Sequence, residues 1–256
     1  FFKITIKKFY SNYQLIIFKL KSKSIFKMKK VILFMMIVLP LALSAQAFTA
    51  VKIKVNNGSQ GSVAQLFEDH YKDANFKDGS GVNIERLWQG SGEWTHRVVF
   101  YGPLGNRGRV EGDMSPFQNS AFWANLRYYT NGHYEASSGR VLDYRAGDDE
   151  QDNFIIYDVT IKDMGAYSKA HQKFIDDLSD DKNFKNRGIA YGTYDIGRPN
   201  GAWHWIVLSG KDTDDLLLMH QEFQTKYVNE LTDYFINRGE VEEIKDYRVE
   251  TLIQYD

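Results

Sequence analysis

The sequence predicts an α+β protein in which one βαββαβ unit occurs twice and the two units pack sheet to sheet. Two aromatic segments bounded by glycine, residues 92–102 and 201–210, support this prediction. Each occupies the same place in a run of strand, helix, strand, strand, helix, strand. Four landmark pairs also repeat in order at separations of 107 to 109 residues: Val51 and Val159, Phe67 and Phe174, Trp94 and Trp203, and Val141 and Val249. The chain is therefore predicted to be an internal duplication.

The first unit is predicted to cover residues 48–147. Period-two alternation of apolar residues indicates a strand at 50–55. Ser62 is placed to cap a helix whose apolar face contains Phe67. The following elements are a hairpin with strands 82–88 and 94–101, an exposed Gly-rich loop at 103–114, a helix opened by Ser115-Pro116 and a closing strand at 140–145.

The second unit is predicted to cover residues 153–256, after an acidic joint at 146–152 that has no periodic pattern. It repeats the order of the first unit. A long helix is expected at 212–235, because apolar residues recur there at helical spacing. The other elements are a strand at 154–162, a helix at 167–178, a hairpin with strands 189–196 and 202–208, and a closing strand at 243–255.

Side-chain alternation along the two aromatic strands predicts what each face contacts. Trp94 and His96 share one face of the first strand, whereas Trp203 and Trp205 share one face of the second, opposite His204. In this alignment His96 corresponds to Trp205, and the two histidines face opposite sides of their sheets. Both faces are largely apolar, so both are predicted to be buried, one under helices and one against the other unit.

A βαββαβ unit is the ferredoxin-like arrangement, an antiparallel sheet with both helices on one face. Two such units in one chain, with the duplicated aromatic strand and the long second helix, resemble the dimeric α+β barrel superfamily over about residues 50–256. The resemblance implies two units that face each other and enclose a barrel-like interior. Its members include cofactor-independent monooxygenases, haem peroxidases and chlorite dismutases, so it implies no single activity.

The N-terminal region carries the pattern of a secretory signal peptide at residues 28–47. Met28-Lys29-Lys30 supplies the positive charge, an apolar run extends from 31 to 43, and small residues follow. Cleavage is expected after Ala45 or Ala47. The protein is therefore predicted to be bacterial and either secreted or periplasmic, with no membrane anchor after cleavage.

Residues 1–27 precede this signal, and 20 of them are Phe, Lys, Ile, Tyr or Asn, the amino acids of AT-rich codons. They are predicted to be translated upstream sequence. The alternative is a basic arm that binds nucleic acid or membrane.

Charge and cysteine content restrict the partners. Nine of the 32 basic residues and none of the 33 acidic residues lie in positions 1–47, so the remaining chain has 23 basic and 33 acidic residues, a formal charge of −10. This balance argues against nucleic acid as a partner. The chain has no cysteine, so it has no thiol nucleophile and must be stabilised by its core rather than by disulfides.

The candidate functional residues lie on or beside the aromatic strands. His96 and His204 are candidates for orienting a ligand or transferring a proton, and the alternative is that each is a hydrogen-bonded histidine at a strand end. The candidate ligand-binding residues are Trp88, Trp94, His96, Trp203, His204 and Trp205, for which packing between the sheets is the alternative. No His-x-x-x-His or Cys-x-x-Cys spacing occurs, so neither a metal nor a cofactor is predicted.

Three functions follow from these patterns. The leading hypothesis is an exported protein that binds a small apolar or aromatic molecule in the barrel interior. The second is an enzyme of the cofactor-independent monooxygenase type, with His96 or His204 assisting proton transfer beside Trp94 or Trp203. The third is a non-catalytic surface interaction protein whose barrel is filled by its own side chains. The sequence does not determine the oligomeric state.

Overall fold

The computed structural model of the protein describes residues 46–148 and 150–256. The predicted upstream sequence and all but the last two residues of the predicted signal peptide therefore lie outside the described residues. Within the described ranges the elements follow in the order β1 (Gln46–Val55), α1 (Gln60–Tyr71), β2 (Gly81–Leu87), β3 (His96–Pro103), α2 (Pro116–Tyr128), β4 (Thr130–Arg145), β5 (Asn153–Ile161), α3 (Met164–Leu178), β6 (Ile189–Ile196), a 3-10 turn (Pro199–Gly201), β7 (His204–Gly210), α4 (Thr213–Thr225), α5 (Val228–Asn237) and β8 (Val241–Tyr255).

The eight strands form one closed antiparallel barrel in the order β1-β3-β2-β8-β5-β7-β6-β4. Within each half the spatial order is fourth, first, third, second strand, which is the ferredoxin-like order. The halves join where β2 pairs with β8 and where β4 pairs with β6. The prediction of two fused ferredoxin-like units packed sheet to sheet is confirmed.

The helices cover the outside of the barrel and form three outer cores with it, one in the first half and two in the second. In the first half, Phe67 of α1 and Phe122 of α2 pack against Val98 of β3. In the second half, Phe174 of α3 packs against Leu216 of α4. Each fully buried side chain of this size stabilises the fold by about 1.5–3 kcal/mol relative to leaving it exposed. No helix in the described ranges is both long and apolar enough to cross a membrane.

Most elements begin or end within a few residues of their predicted bounds, and two differ by more. The helix predicted at 212–235 is divided into α4 and α5, because the backbone N–H groups of Lys226 and Tyr227 both bond to the carbonyl of Glu222 and interrupt the regular ladder. Strand β4 begins at Thr130, ten residues before its predicted start. Residues 130–139 contain two glycines and no apolar alternation, and they become a strand because β1 supplies hydrogen-bond partners along their length.

Candidate functional site

The inside of the barrel contains a fourth core, which we call the inner core. Its buried members include Ile156, Trp205, Tyr247 and Val249, and Phe48 packs against them. The ring of Phe48 contacts that of Trp205 edge to face with 5.6 Å between centroids. The inner face of the barrel is thus lined by aromatic and aliphatic side chains from both halves.

Two glycines allow the aromatic rings to lie close to the barrel wall. A Cβ atom at Gly192 would stand 2.5 Å from the indole of Trp205 and 2.1 Å from the carbonyl oxygen of Arg140. A Cβ atom at Gly139 would stand 3.1 Å from the ring of Phe48 and 1.7 Å from a carbonyl oxygen of β6. Any larger residue at either position would therefore displace the lining of the interior.

A group of polar side chains lies inside the barrel among these apolar residues; most of them are buried, and the side chain of Glu135 is 35% exposed. Seven of the eight strands contribute one residue each to this inner polar cluster: Lys52, Glu85, Arg97, Glu135, Asp158, Tyr194 and Tyr247. Lys52 Nζ lies 2.9 Å from Glu135 Oε1. The guanidinium of Arg97 forms an ion pair with Glu85 and also reaches the hydroxyl of Tyr247, at 3.3 Å. Each cation is therefore paired with its own carboxylate.

Asp158 is the most deeply buried member of the cluster, with an exposed fraction of 0%. The hydroxyl of Tyr194 donates a hydrogen bond of 2.7 Å to its Oδ1 atom. Its Oδ2 atom has no hydrogen-bond partner among the described residues. Burial raises the pKa of Asp158, although the hydrogen bond from Tyr194 and the charges of Lys52 and Arg97 act in the opposite direction.

The two halves contribute unequally to this cluster. Arg97 pairs across the sheet with Lys52 and Glu85, so the first half supplies charged groups at three adjoining positions. At the corresponding positions of the second half, Trp205 pairs with Asp158 and Gly192. The interior therefore has one ionic side and one aromatic side, and Asp158 lies on the aromatic side.

One end of the barrel remains partly accessible. At this end, which we call the entry end, β1 and β5 begin and β4 and β8 finish. Side chains that face inward there are only partly buried: Phe48, Asn83, Val99, Tyr101, Val141, Phe154 and Val207. The rim carries Tyr144, which pairs with Ala190 and is 68% exposed. A small molecule that enters here would meet an aromatic and aliphatic lining first and the inner polar cluster second.

The two predicted histidines lie outside this interior. His96 pairs with Ile53 of β1, and His204 pairs with Val159 of β5; both partners belong to the cores beneath the helices. The alignment of His96 with Trp205 was therefore wrong. His96 corresponds to His204, and Trp205 corresponds to Arg97, because each histidine pairs with a helix-facing residue of the first strand of its half and each of the other two pairs with the inward-facing residue before it.

Burial disfavours the charged form of both histidines. Burial, aided by Arg86, lowers the pKa of His96 to about 4, and its Nδ1 atom lies 2.9 Å from the hydroxyl of Thr95. Burial, aided by Arg198, also lowers the pKa of His204, whose Nδ1 accepts a 3.2 Å hydrogen bond from the backbone of Ile161. These contacts match the alternative of hydrogen-bonded histidines at strand ends.

The four predicted tryptophans separate into two groups. Trp94 and Trp205 contact the inner core. Trp203 is 50% exposed with the guanidinium of Arg198 3.2 Å from its ring centroid, and Trp88 is 41% exposed. The structure thus brings only Trp94 and Trp205 of the six predicted ligand-binding residues to the barrel interior, and their binding of a ligand stays a prediction. In the described ranges no group of three or more acidic or histidine side chains is placed to hold a metal ion.

No protein-family model and no curated protein matches the sequence, whereas solved structures match the fold. A proposed monooxygenase from Lactobacillus acidophilus NCFM superimposes with a TM-score of 0.53 at 13% identity, over 82% of this chain and 94% of that one. A proposed monooxygenase from Fusobacterium nucleatum subsp. nucleatum gives 0.52 at 11% identity, over 84% of this chain and 95% of that one. The chain has the dimeric α+β barrel fold. The similarity concerns the fold alone, and the activity of a dimeric α+β barrel depends on the residues inside it.

Proposed function

We propose that this dimeric α+β barrel binds a small aromatic or apolar molecule in its interior, and that the molecule reaches the interior through the entry end. The observation that carries the proposal is the partial exposure of inward-facing side chains such as Phe48 and Val99, directly above a buried polar cluster. Binding sites for small molecules combine an apolar lining with a few polar groups that orient the ligand. Two buried acceptor atoms that have no hydrogen-bond partner among the described residues, Asn83 Oδ1 and Asp158 Oδ2, are suited to that orienting role.

A tryptophan that blocks the interior should abolish this binding. We expect Val99→Trp to weaken the binding of small aromatic fragments by roughly tenfold or more, because a large ring at this inward-facing, partly exposed position would obstruct the entry end. Val110→Trp is the matched control, since Val110 is exposed on a loop. Ligand-observed NMR on residues 46–256 would measure the affinities. Equal binding to both variants, or no binding of any fragment to the unmodified protein, would contradict the proposal.

Monooxygenase-type catalysis is the second candidate. It is supported by the fold shared with two proposed monooxygenases. In this barrel the proton-transfer group would be Asp158 rather than His96 or His204, because the carboxylate faces the interior and the histidines face the helices. Oxygen consumption with an aromatic substrate, lost in Asp158→Asn, would separate catalysis from binding.

We also propose that the protein is exported and that the signal peptide is cleaved after Ala45. Support comes from β1, in which Gln46 pairs with Pro103 and the buried Ala47 pairs with Gly102. Cleavage after Ala47 would remove both residues from the strand. N-terminal sequencing of the exported protein should therefore identify Gln46. An N-terminus at Phe48, or peptides from residues 1–27, would contradict this expectation.

A further inference from the structure

We propose that the ligand of the barrel carries a positively charged amino group, which binds at the carboxylate of Asp158. The inference rests on the proposed function and adds the chemical class of the molecule: an organic ammonium ion attached to an aromatic or apolar body.

The acidic and basic side chains of the inner polar cluster are unequal in number. The cluster contains three carboxylic acids but only two cations, and both cations are already engaged. Lys52 is paired with Glu135, and Arg97 is paired with Glu85. Asp158 is left with a single hydrogen bond, from the neutral hydroxyl of Tyr194. A buried carboxylate is costly unless a cation compensates it, so the cluster lacks one positive charge at this position.

The neighbouring strand does not supply that charge. Lys245 is the cross-strand partner of Asp158 on β8. Its ammonium, however, lies beside Gly92, 3.7 Å from the position that a Cβ atom would occupy there. Among the described residues, no lysine or arginine forms a salt bridge with Asp158, although Lys52 and Arg97 influence its titration from a greater distance.

The surroundings of Asp158 are rich in aromatic rings. Trp205 is the cross-strand neighbour of Asp158 on β7, Tyr194 is hydrogen-bonded to it, and the ring of Phe48 contacts both. Aromatic faces attract organic cations, and a buried carboxylate among such rings is a favourable environment for an ammonium group. The protein already uses this interaction inside the barrel, because Lys52 Nζ lies 5.1 Å from the ring centroid of Tyr247.

One oxygen of the Asp158 carboxylate is available to a ligand. Asp158 Oδ2 is buried and accepts no hydrogen bond from the described residues. An ammonium group donates three hydrogen bonds and would satisfy this oxygen while it neutralises the carboxylate. A ligand hydroxyl would satisfy the oxygen only, and a ligand carboxylate would add a fourth negative charge to the cluster. The formal charge of −10 outside residues 1–47 also favours the approach of cations over anions.

The test compares three probes of similar size and different charge. Isothermal titration calorimetry on residues 46–256 would measure the affinities of 2-phenylethylamine, 2-phenylethanol and 3-phenylpropionate. We expect the amine to bind roughly tenfold more tightly than the alcohol, and the carboxylate to bind more weakly than either. In Asp158→Asn, which preserves the shape of the side chain, the advantage of the amine should disappear. In Asp246→Asn, which removes an exposed negative charge from the outer face of β8, it should persist.

The outcomes distinguish this inference from the function on which it rests. Equal affinities for amine and alcohol, both lost in Val99→Trp, would overturn the inference and leave binding inside the barrel supported. An amine preference that falls as much in Asp246→Asn as in Asp158→Asn would overturn it as well, because surface charge would then be its cause. Binding that Val99→Trp does not affect, or no binding at all, would overturn both proposals.

Discussion

Arg187→Ala is expected to lower the free energy of unfolding by about 3–5 kcal/mol, because it removes one partner of a buried ion pair. Arg187 is 5% exposed and binds Asp215 through both terminal nitrogens, each at 2.7 Å. It also donates to the backbone carbonyls of Asn183 and Ser209. Alanine would leave these acceptors without their donor, and the segment before β6 would lose its attachment to α4.

Arg140→Ala is the matched control for this substitution. Arg140 binds Asp195 with the same two-nitrogen geometry, at 2.8 and 3.1 Å, but its side chain is 44% exposed. Solvent screens exposed pairs, so its loss should cost no more than about 1 kcal/mol. Urea denaturation of both variants would measure the difference. Comparable losses in the two variants would show that burial does not determine the contribution of the Arg187 pair.

Arg97→Ala is also expected to lower the free energy of unfolding by about 3–5 kcal/mol, because it removes one partner of an ion pair inside the barrel. Glu85 would remain buried in the apolar interior without its cation, and Tyr247 would lose its contact with the guanidinium. Thermal and urea denaturation would measure the loss.

The double variant Arg97→Met with Glu85→Leu separates charge from packing. Both substitutions retain apolar volume and remove the charges together. Replacing a buried ion pair with apolar side chains is often neutral or stabilising, so the double variant should recover most of the stability that Arg97→Ala loses. A double variant no more stable than Arg97→Ala would mean that shape, rather than charge pairing, holds Arg97 in place.

The elements that the sequence predicted well are those with a periodic apolar pattern. Strand β6 occupies residues 189–196 as predicted, and α3 covers the predicted helix at 167–178 with three additional residues at its start. Burial beneath the helices and, for β6, also inside the barrel produces the apolar pattern by which they are recognised. The order of elements and the duplication were sufficient to predict the closed sheet.

The inner polar cluster was not predicted, for a reason visible in β1. Lys52 and Lys54 alternate with valine and isoleucine, which is typical of a strand with one face in water. In the barrel the face that carries the lysines is the inner one, so Lys52 is buried, while Lys54, at the end of the barrel opposite the entry end, has a side chain that is 44% exposed. Closure of the sheet turns a polar face inward, and no local pattern distinguishes that face from one in solvent. Lys52, Glu85, Arg97 and Asp158 were therefore not among the candidate functional residues predicted from the sequence.

The inequality of the two halves has a consequence for how such a barrel can evolve. In a barrel made from two identical chains, a rotation axis copies every substitution, so an acid at the position of Asp158 would always appear twice. Lys52 and Asp158 occupy corresponding positions in the two halves. In a barrel of two identical chains this position would be the same residue in both, so a lysine and an aspartate could not both be present. Joining the halves in one polypeptide removes that restriction. Selection can then place a cation on one side and an acid on the other, so that the two sides of one barrel interior differ in charge.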